Sequence, residues 1–228
     1  MSSDAPVPTG CAPLDELLGG GLERGSVTQF YGPPAAGKTN VCLSAAVEVA
    51  ADDGMAVYLD TEGVSADRFE QVLTGRAQNP EAASANVVLT EIYDFEEQSE
   101  AVKDAAEFAD AADLIVLDSA TGFYRLQRSD EDEGETLREV ARQITHLLSL
   151  ARKHDLAVAV TNQVYTDPEG DQARPLGGHT LEHWTGTVVR LERFRGGNRR
   201  ATLEKHRAKP AGETAQFRIT GEGIEAPE

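Results

Sequence analysis

The sequence predicts an α/β fold: a mostly parallel, twisted sheet flanked by helices, with an antiparallel hairpin on its C-terminal side. Three observations predict it. Short apolar runs alternate with helix-spaced patterns, one such run leads straight into a glycine-rich turn, and after Gly186 two strand-like runs follow each other directly. A strand covered on both faces reads as a nearly continuous apolar run, and a parallel partner needs a crossover helix in between.

In chain order, residues 1–8 carry no periodic pattern and are expected to be a flexible N-terminus, with one unit over 9–224 and a tail at 225–228. Strands are expected over 26–31, 55–60, 87–91, 114–118 and 156–162, all rich in Val, Leu and Ile. Asp94 followed by Glu97 is a capping pair opening a helix that carries Val102, Ala105, Ala106 and Ala109. Leu137, Val140, Ala141, Ile144, Leu147, Leu148 and Ala151 recur at three and four residues, the stripe of a long amphipathic helix. Right-handed strand–helix–strand repetition winds these into one sheet. The runs 187–194 and 199–206, joined through Gly196, Gly197 and Asn198, form the hairpin that extends it.

At 228 residues, 40% hydrophobic, the chain is long enough for one large α/β domain. Its formal net charge is −18, from 39 acidic and 21 basic residues, and lysine stands only at 38, 103, 153, 205 and 209. A surface this acidic repels nucleic acid in general, and many carboxylates with few lysines suit a cytoplasm of very high salt. Cys11 and Cys42 are too few for a disulfide framework and read as small core residues of a reducing compartment. No apolar run approaches the ~18 residues of a membrane span, and no basic stretch precedes an apolar one at the N-terminus. The expectation is a cytoplasmic protein without membrane contact.

Gly32, Pro33, Pro34, Ala35, Ala36, Gly37, Lys38 and Thr39 fit G-x-x-x-x-G-K-[ST], after an expected strand and before an expected helix, the context the motif requires. Small residues let backbone N–H groups wrap a phosphate, and the helix N-terminus adds its dipole. Lys38 reaches the β- and γ-phosphates, and the Thr39 hydroxyl ligates Mg2+. Asn40 closes the same nucleotide-binding stretch. Asp118 ends an apolar strand where an open α/β sheet presents its ligands, so it suits the metal's water shell; a structural cap has the same signature. Glu62, just past Tyr58-Leu59-Asp60, suits a base for the attacking water, and a solvated loop acid has the same spacing.

Between 190 and 209 stand Arg190, Arg193, Arg195, Arg199, Arg200, Lys205, Arg207 and Lys209, against only Glu192 and Glu204. Arginines clustered near a hairpin tip, with Arg195, Arg199 and Arg200 foremost, are an electrostatic footprint for DNA phosphates; internal pairing with the surplus carboxylates is the alternative. Tyr124, Trp184 and Phe194 are either base-stacking platforms or core aromatics. His179 and His183 lack a third ligand at a suitable spacing and read as packing.

Asp60-Thr-Glu-Gly63, Leu117-Asp-Ser-Ala-Thr121 with Tyr124-Arg125, and Thr161-Asn-Gln-Val164 stand in the order and spacing of the RecA-like recombinases. Thr9-Gly10, Leu14-Asp15, Leu17-Leu18-Gly-Gly-Gly21 and Gly25-Ser26 resemble that family's approach to its phosphate loop. The resemblance runs from about Thr9 to Ile224 and implies a RecA-like P-loop ATPase core with ATP and Mg2+. By position it makes Lys38, Glu62 and Gln163 the catalytic set, with Gln163 sensing the γ-phosphate, and Thr39 and Asp118 the metal site. Arg68 resembles the arginine that stacks on adenine. Arg125 and Arg128 fall in the first DNA-binding loop and Arg174 in the second, while Lys205 and Arg207 match basic residues that reach a neighbouring subunit's ATP.

The chain begins almost at the ATPase core, and the expectation is a protein that lacks the N-terminal helical DNA-binding domain and the Phe-x-x-Ala tether of the archaeal and eukaryotic recombinases. Acids stand in both loop regions, at Asp130, Glu131, Asp132 and Glu133 and at Asp167, Glu169 and Asp171. The chain is most similar to the short archaeal recombinase paralogues. That resemblance implies an accessory protein in homologous recombination and DNA repair, binding ATP and single-stranded or branched DNA, with weak hydrolysis as a conformational switch and little or no strand exchange. Its partners would be the main archaeal recombinase RadA or other recombination factors, with at most weak self-association. Two further readings stay open: a self-assembling DNA-dependent ATPase recombinase, and a signalling ATPase of the circadian-clock-like branch that binds no DNA.

Overall fold

The computed structural model describes residues 5–123, 133–166, 173–175 and 181–227. Five parallel strands form the centre: β1 (Val27–Tyr31), β2 (Met55–Asp60), β3 (Val87–Glu91), β4 (Ala112–Asp118) and β5 (Ala157–Asn162). A short ribbon, β6 (Val164–Thr166) with β7 (Ala173–Pro175), follows β5. Strand β8 (Thr187–Arg193) runs parallel to β1, and β9 (Arg199–Lys205), β10 (Thr214–Thr220) and β11 (Gly223–Glu225) continue outward antiparallel. The nine-stranded order is β11-β10-β9-β8-β1-β5-β4-β2-β3, so β1 lies in the interior with the hairpin on one side and β5 on the other.

Helices α1 (Ala12–Leu18), α2 (Lys38–Ala51), α3 (Ala66–Arg76) and α4 (Pro80–Ser84) cover one face; α5 (Phe95–Asp104) and α6 (Glu133–His154) cover the other. Each face has its own apolar core, because the alternating side chains of β1, β4 and β5 point to opposite faces: Phe30, Val116 and Ala159 to the first, Val27, Ile115 and Val158 to the second. The expected cap of α5 is present. Asp94 accepts the Glu97 N–H at 2.9 Å, and Glu97 reaches back to the Tyr93 N–H at 2.9 Å.

The expected strands appear with ends shifted by at most two residues, and two expectations change. The C-terminal side is not a hairpin alone, since β10 and β11 add two more strands; of the seven residues of β10 only Phe217 is buried, so its polar sequence carries little strand signal. The chain is also tied down earlier than residue 9. Val7 bridges Leu22 by two backbone bonds of 2.9 and 2.7 Å and is buried in the first core, because an apolar side chain there fills the slot beside Leu22.

One cation ties the periphery together. The Arg76 guanidinium pairs with Glu48 of α2 and donates to the carbonyls of Gly10 at 3.1 Å, Glu222 at 2.5 Å and Ile224 at 2.5 Å. Arg76→Ala leaves these carbonyls and the partly buried Glu48 carboxylate without their donor. The expected outcome is a loss of about 3 kcal/mol of unfolding free energy, read as a lower denaturant midpoint at unchanged slope.

Candidate nucleotide site

Strand β1 delivers the chain at the sheet edge where β4 and β5 also end. There is no room for a side chain at Gly32: a Cβ would lie 2.1 Å from the Leu191 carbonyl oxygen of β8. Gly37, at φ +104°, turns the chain into α2 through a conformation that favours glycine. Lys38 and Thr39 therefore open the helix. The Lys38 ammonium folds over the loop, donating to the Gly32 carbonyl at 3.0 Å and the Pro33 carbonyl at 3.3 Å. Burial lowers its pKa, partly opposed by the charges of Asp118 and Glu62. A half-buried ammonium beside a helix N-terminus is the environment a phosphate satisfies. The adjoining cleft, about 270 Å³, has the loop residues Gly32, Pro34, Ala35 and Gly37 to Asn40 on one side and Glu62, Gln163 and Val164 on the other.

Asp118 lies behind the loop with no exposed surface. Its carboxylate accepts from the Tyr58 hydroxyl at 2.8 Å and from the hydroxyls of Thr161 and Thr39. Burial raises its pKa, and those three hydrogen bonds oppose the rise. Thr39 is thus already held against the acid expected beside it. A hydroxyl and a carboxylate converging behind a lysine suit a hard divalent cation, so Thr39 and Asp118 are the residues that would hold Mg2+.

Glu62 and Gln163 meet across the cleft. The Glu62 Oε1 accepts from the Gln163 amide at 3.1 Å and from the Ser119 hydroxyl at 2.7 Å. Their placement depends on residues that spacing did not single out. Asp60, buried at the end of β2, accepts the backbone N–H groups of Glu62 and Gly63 at 3.0 Å and of Val64 at 2.6 Å, which fixes the turn carrying Glu62. Thr121 accepts the Gln163 N–H at 3.1 Å. Both lie in the short pieces that carry the resemblance, and an acid at a strand end followed by a glycine turn was the one available signal.

Arg68 sits against the first turn of α2. Its Nε and Nη2 donate to the Asn40 Oδ1 at 3.0 and 2.6 Å, and its Nη1 donates to Gln71 at 2.7 Å and the Gly221 carbonyl at 3.3 Å. The guanidinium is held within its plane from three segments, leaving its faces for stacking.

The hairpin arginines divide. Arg200 pairs with Glu192 and lies 4.8 Å from the Phe194 ring centroid. Arg199 donates to the Ala35 carbonyl of the phosphate loop at 3.1 Å. Arg193 and Arg195 are exposed at the same end of the sheet. Lys205 is at the opposite end, donating to the carbonyls of Glu182 at 2.5 Å and Thr185 at 2.7 Å, and the half-exposed Arg207 is 3.7 Å from Glu23. Trp184 is 40% exposed, not a core aromatic, and shares a groove with Arg138 and Arg142 of α6; His183 meets its ring edge-on at 5.0 Å. Arg125, Arg128, His179 and the acids at 130–132, 167, 169 and 171 lie outside the described residues, and Arg174 is placed only as part of β7.

The raised pKa of Asp118 sets a pH dependence. Folding favours its protonated form, so its contribution to stability is greatest below the ordinary aspartate value of about 3.9 and is lost as pH rises through the raised one. Asp118→Asn lacks that loss. Without nucleotide, its thermal midpoint at neutral pH should exceed that of the wild type by a few degrees, and Mg2+ with ATP should no longer raise it. Thermal scans across pH, with and without Mg·ATP, measure both.

Comparison with known proteins agrees with this geometry. The Rad51 family model matches residues 4–227. The RadB DNA repair and recombination protein of Halobacterium salinarum is 70% identical over 226 residues, covering 98% of this chain and 96% of that protein. RadB of Archaeoglobus fulgidus is 40% identical over 222 residues, covering 96% and 97%. The crystal structure of the RadB recombinase superposes with a TM-score of 0.84 at 36% identity, over 97% of this chain and all of that one. A nucleotide-type cleft in a RecA-like sheet, together with full-length identity of this order, places the chain in the Rad51 family, among the archaeal RadB proteins of DNA repair and recombination.

Proposed function

We propose that the protein is an ATP-switched accessory factor of homologous recombination and DNA repair, binding single-stranded or branched DNA, with weak ATP hydrolysis and little or no strand exchange. The observation that carries it is the Gln163–Glu62 contact across the cleft at 3.1 Å. Lys38, the loop amides and Thr39 with Asp118 would hold Mg·ATP, the bound metal would supply positive charge to the phosphates, and Arg68 would stack on the adenine. A γ-phosphate on that side of the cleft competes with Glu62 for the Gln163 amide. Gln163 directly precedes the β6–β7 ribbon, so the nucleotide state is passed into that segment.

Glu62 Oε1 accepts the Ser119 hydroxyl and the Gln163 amide, and release of Gln163 to a γ-phosphate would free that position for the attacking water, which ties hydrolysis to the same contact. Exposed Arg193 and Arg195, with Arg125, Arg128, Arg174 and Arg200, supply the DNA contacts in an otherwise acidic chain. Lys205 and Arg207, at the far end of the sheet from the phosphate loop, would face a neighbouring subunit's ATP if copies stack end to end in a weak homo-oligomer. RadA or another recombination factor is the expected partner, in the cytoplasm. Among the described residues no helix is long and apolar enough to cross a membrane.

Binding of labelled single-stranded DNA in molar KCl tests the reading. Wild type should bind more tightly with Mg·ATP, Lys38→Ala should lose that response, and Arg193→Glu/Arg195→Glu should lose most DNA binding. Rapid DNA-stimulated hydrolysis would point instead to an active recombinase, and absence of DNA binding under every condition would sink the proposal.

A further inference from the structure

We propose that the tip of the β8–β9 hairpin is a nucleic-acid phosphate site, and that Arg199 is the positioning residue that ties its occupancy to the phosphate loop. The inference rests on the nucleotide reading above and extends it to residues that do not line the cleft.

Register creates the site. Arg193 and Arg199 stand directly opposite each other on adjacent antiparallel strands, an arrangement in which like charges oppose pairing. The neighbouring pair, Glu192 and Arg200, is compensated by a salt bridge. Among the described residues neither Arg193 nor Arg199 has a carboxylate partner, although the chain holds 39 Asp and Glu. Arg195 is exposed two residues further along the same turn. Uncompensated guanidinium groups gathered at one turn are stabilised when an external oxyanion lies between them, and charge-assisted bonds to phosphate are stronger than bonds to neutral acceptors.

Arg199 carries the effect inward. Its Nε donates to the Ala35 carbonyl at 3.1 Å, and its Nη1 donates to the carbonyls of Gly197 at 2.6 Å and Asn198 at 3.3 Å, so one guanidinium joins the hairpin tip to the phosphate loop. In a planar trans peptide the Ala35 carbonyl and the Ala36 N–H point in opposite directions. Holding that carbonyl against the hairpin aims the Ala36 N–H away from it, and here it meets the Pro33 carbonyl at 3.2 Å within the loop. A phosphodiester on Arg193 and Arg195 relieves the cross-strand repulsion and lets Arg199 hold Ala35 more firmly. A nucleotide that orders the loop in turn fixes Arg199 and presents the other two arginines. The two affinities must rise by the same factor.

The test is titration of a fluorescent ATP analogue with Mg2+ in dilute and molar KCl, alone, with a single-stranded oligonucleotide, and with inorganic phosphate. Wild type, Arg199→Gln, Arg199→Lys and Arg193→Gln are compared. The oligonucleotide should tighten nucleotide binding to the wild type about tenfold, equivalent to ~1.4 kcal/mol. Arg199→Gln should bind nucleotide several-fold more weakly and show no oligonucleotide effect, with part of the affinity returning in Arg199→Lys; Arg193→Gln should lose the oligonucleotide effect. Wild-type nucleotide affinity in Arg199→Gln, or an undiminished oligonucleotide effect there, overturns the role of Arg199. Enhancement by inorganic phosphate and not by the oligonucleotide overturns the nucleic-acid assignment. A wild type that binds no nucleotide brings down the reading of the cleft as well, which separates the two failures.

Discussion

Asp118 is a carboxylate with no solvent-exposed surface, and the arrangement of the site follows from what such a group needs. In a low-dielectric interior an ionised acid is costly unless hydrogen bonds and a cation compensate it. The hydroxyls of Tyr58, Thr161 and Thr39 come from three different elements, β2, β5 and α2, and all converge on it. Burial shifts Asp118 up and Lys38 down, so each is displaced toward its neutral form. The proposed metal beside the acid and phosphate beside the ammonium would relieve both displacements together.

The strand order places a different side chain on each flank of the phosphate loop. On one side, β5 runs into Gln163, whose amide lies on Glu62. On the other, β8 packs its Leu191 carbonyl where Gly32 has no side chain, and β9 brings Arg199 to the Ala35 carbonyl. The loop therefore shares its cleft with the residue that precedes the β6–β7 ribbon and is hydrogen-bonded to the basic hairpin.

Several cations of this acidic chain donate to backbone oxygens. Arg76 and Lys205 do so, and Arg24 likewise reaches the carbonyls of Ala5 and Asp155, each at 3.0 Å, besides its 2.7 Å pair with Asp113. Arg193 and Arg195 stand apart from that pattern.

The central strands were legible because doubly covered strands must be apolar throughout, and the phosphate loop was legible because its glycines, lysine and threonine act on one ligand within eight residues. Lys38, Thr39, Glu62, Asp118 and Gln163 could be named from short-range pattern and family order, and the fold brings all five to one place. β10 escaped because its sequence is polar apart from Phe217, and Val7 because a single buried side chain makes no period. The tasks of the arginines were not legible at all. Charge clustering marks Arg193, Arg195, Arg199 and Arg200 alike, yet Arg200 meets Glu192 across the hairpin, Arg199 meets a carbonyl 164 residues away, and the other two face solvent. Composition and local spacing determined what the chain can bind. The register of β8 against β1 and β9, a long-range property, decided which of its charges remain available to bind it.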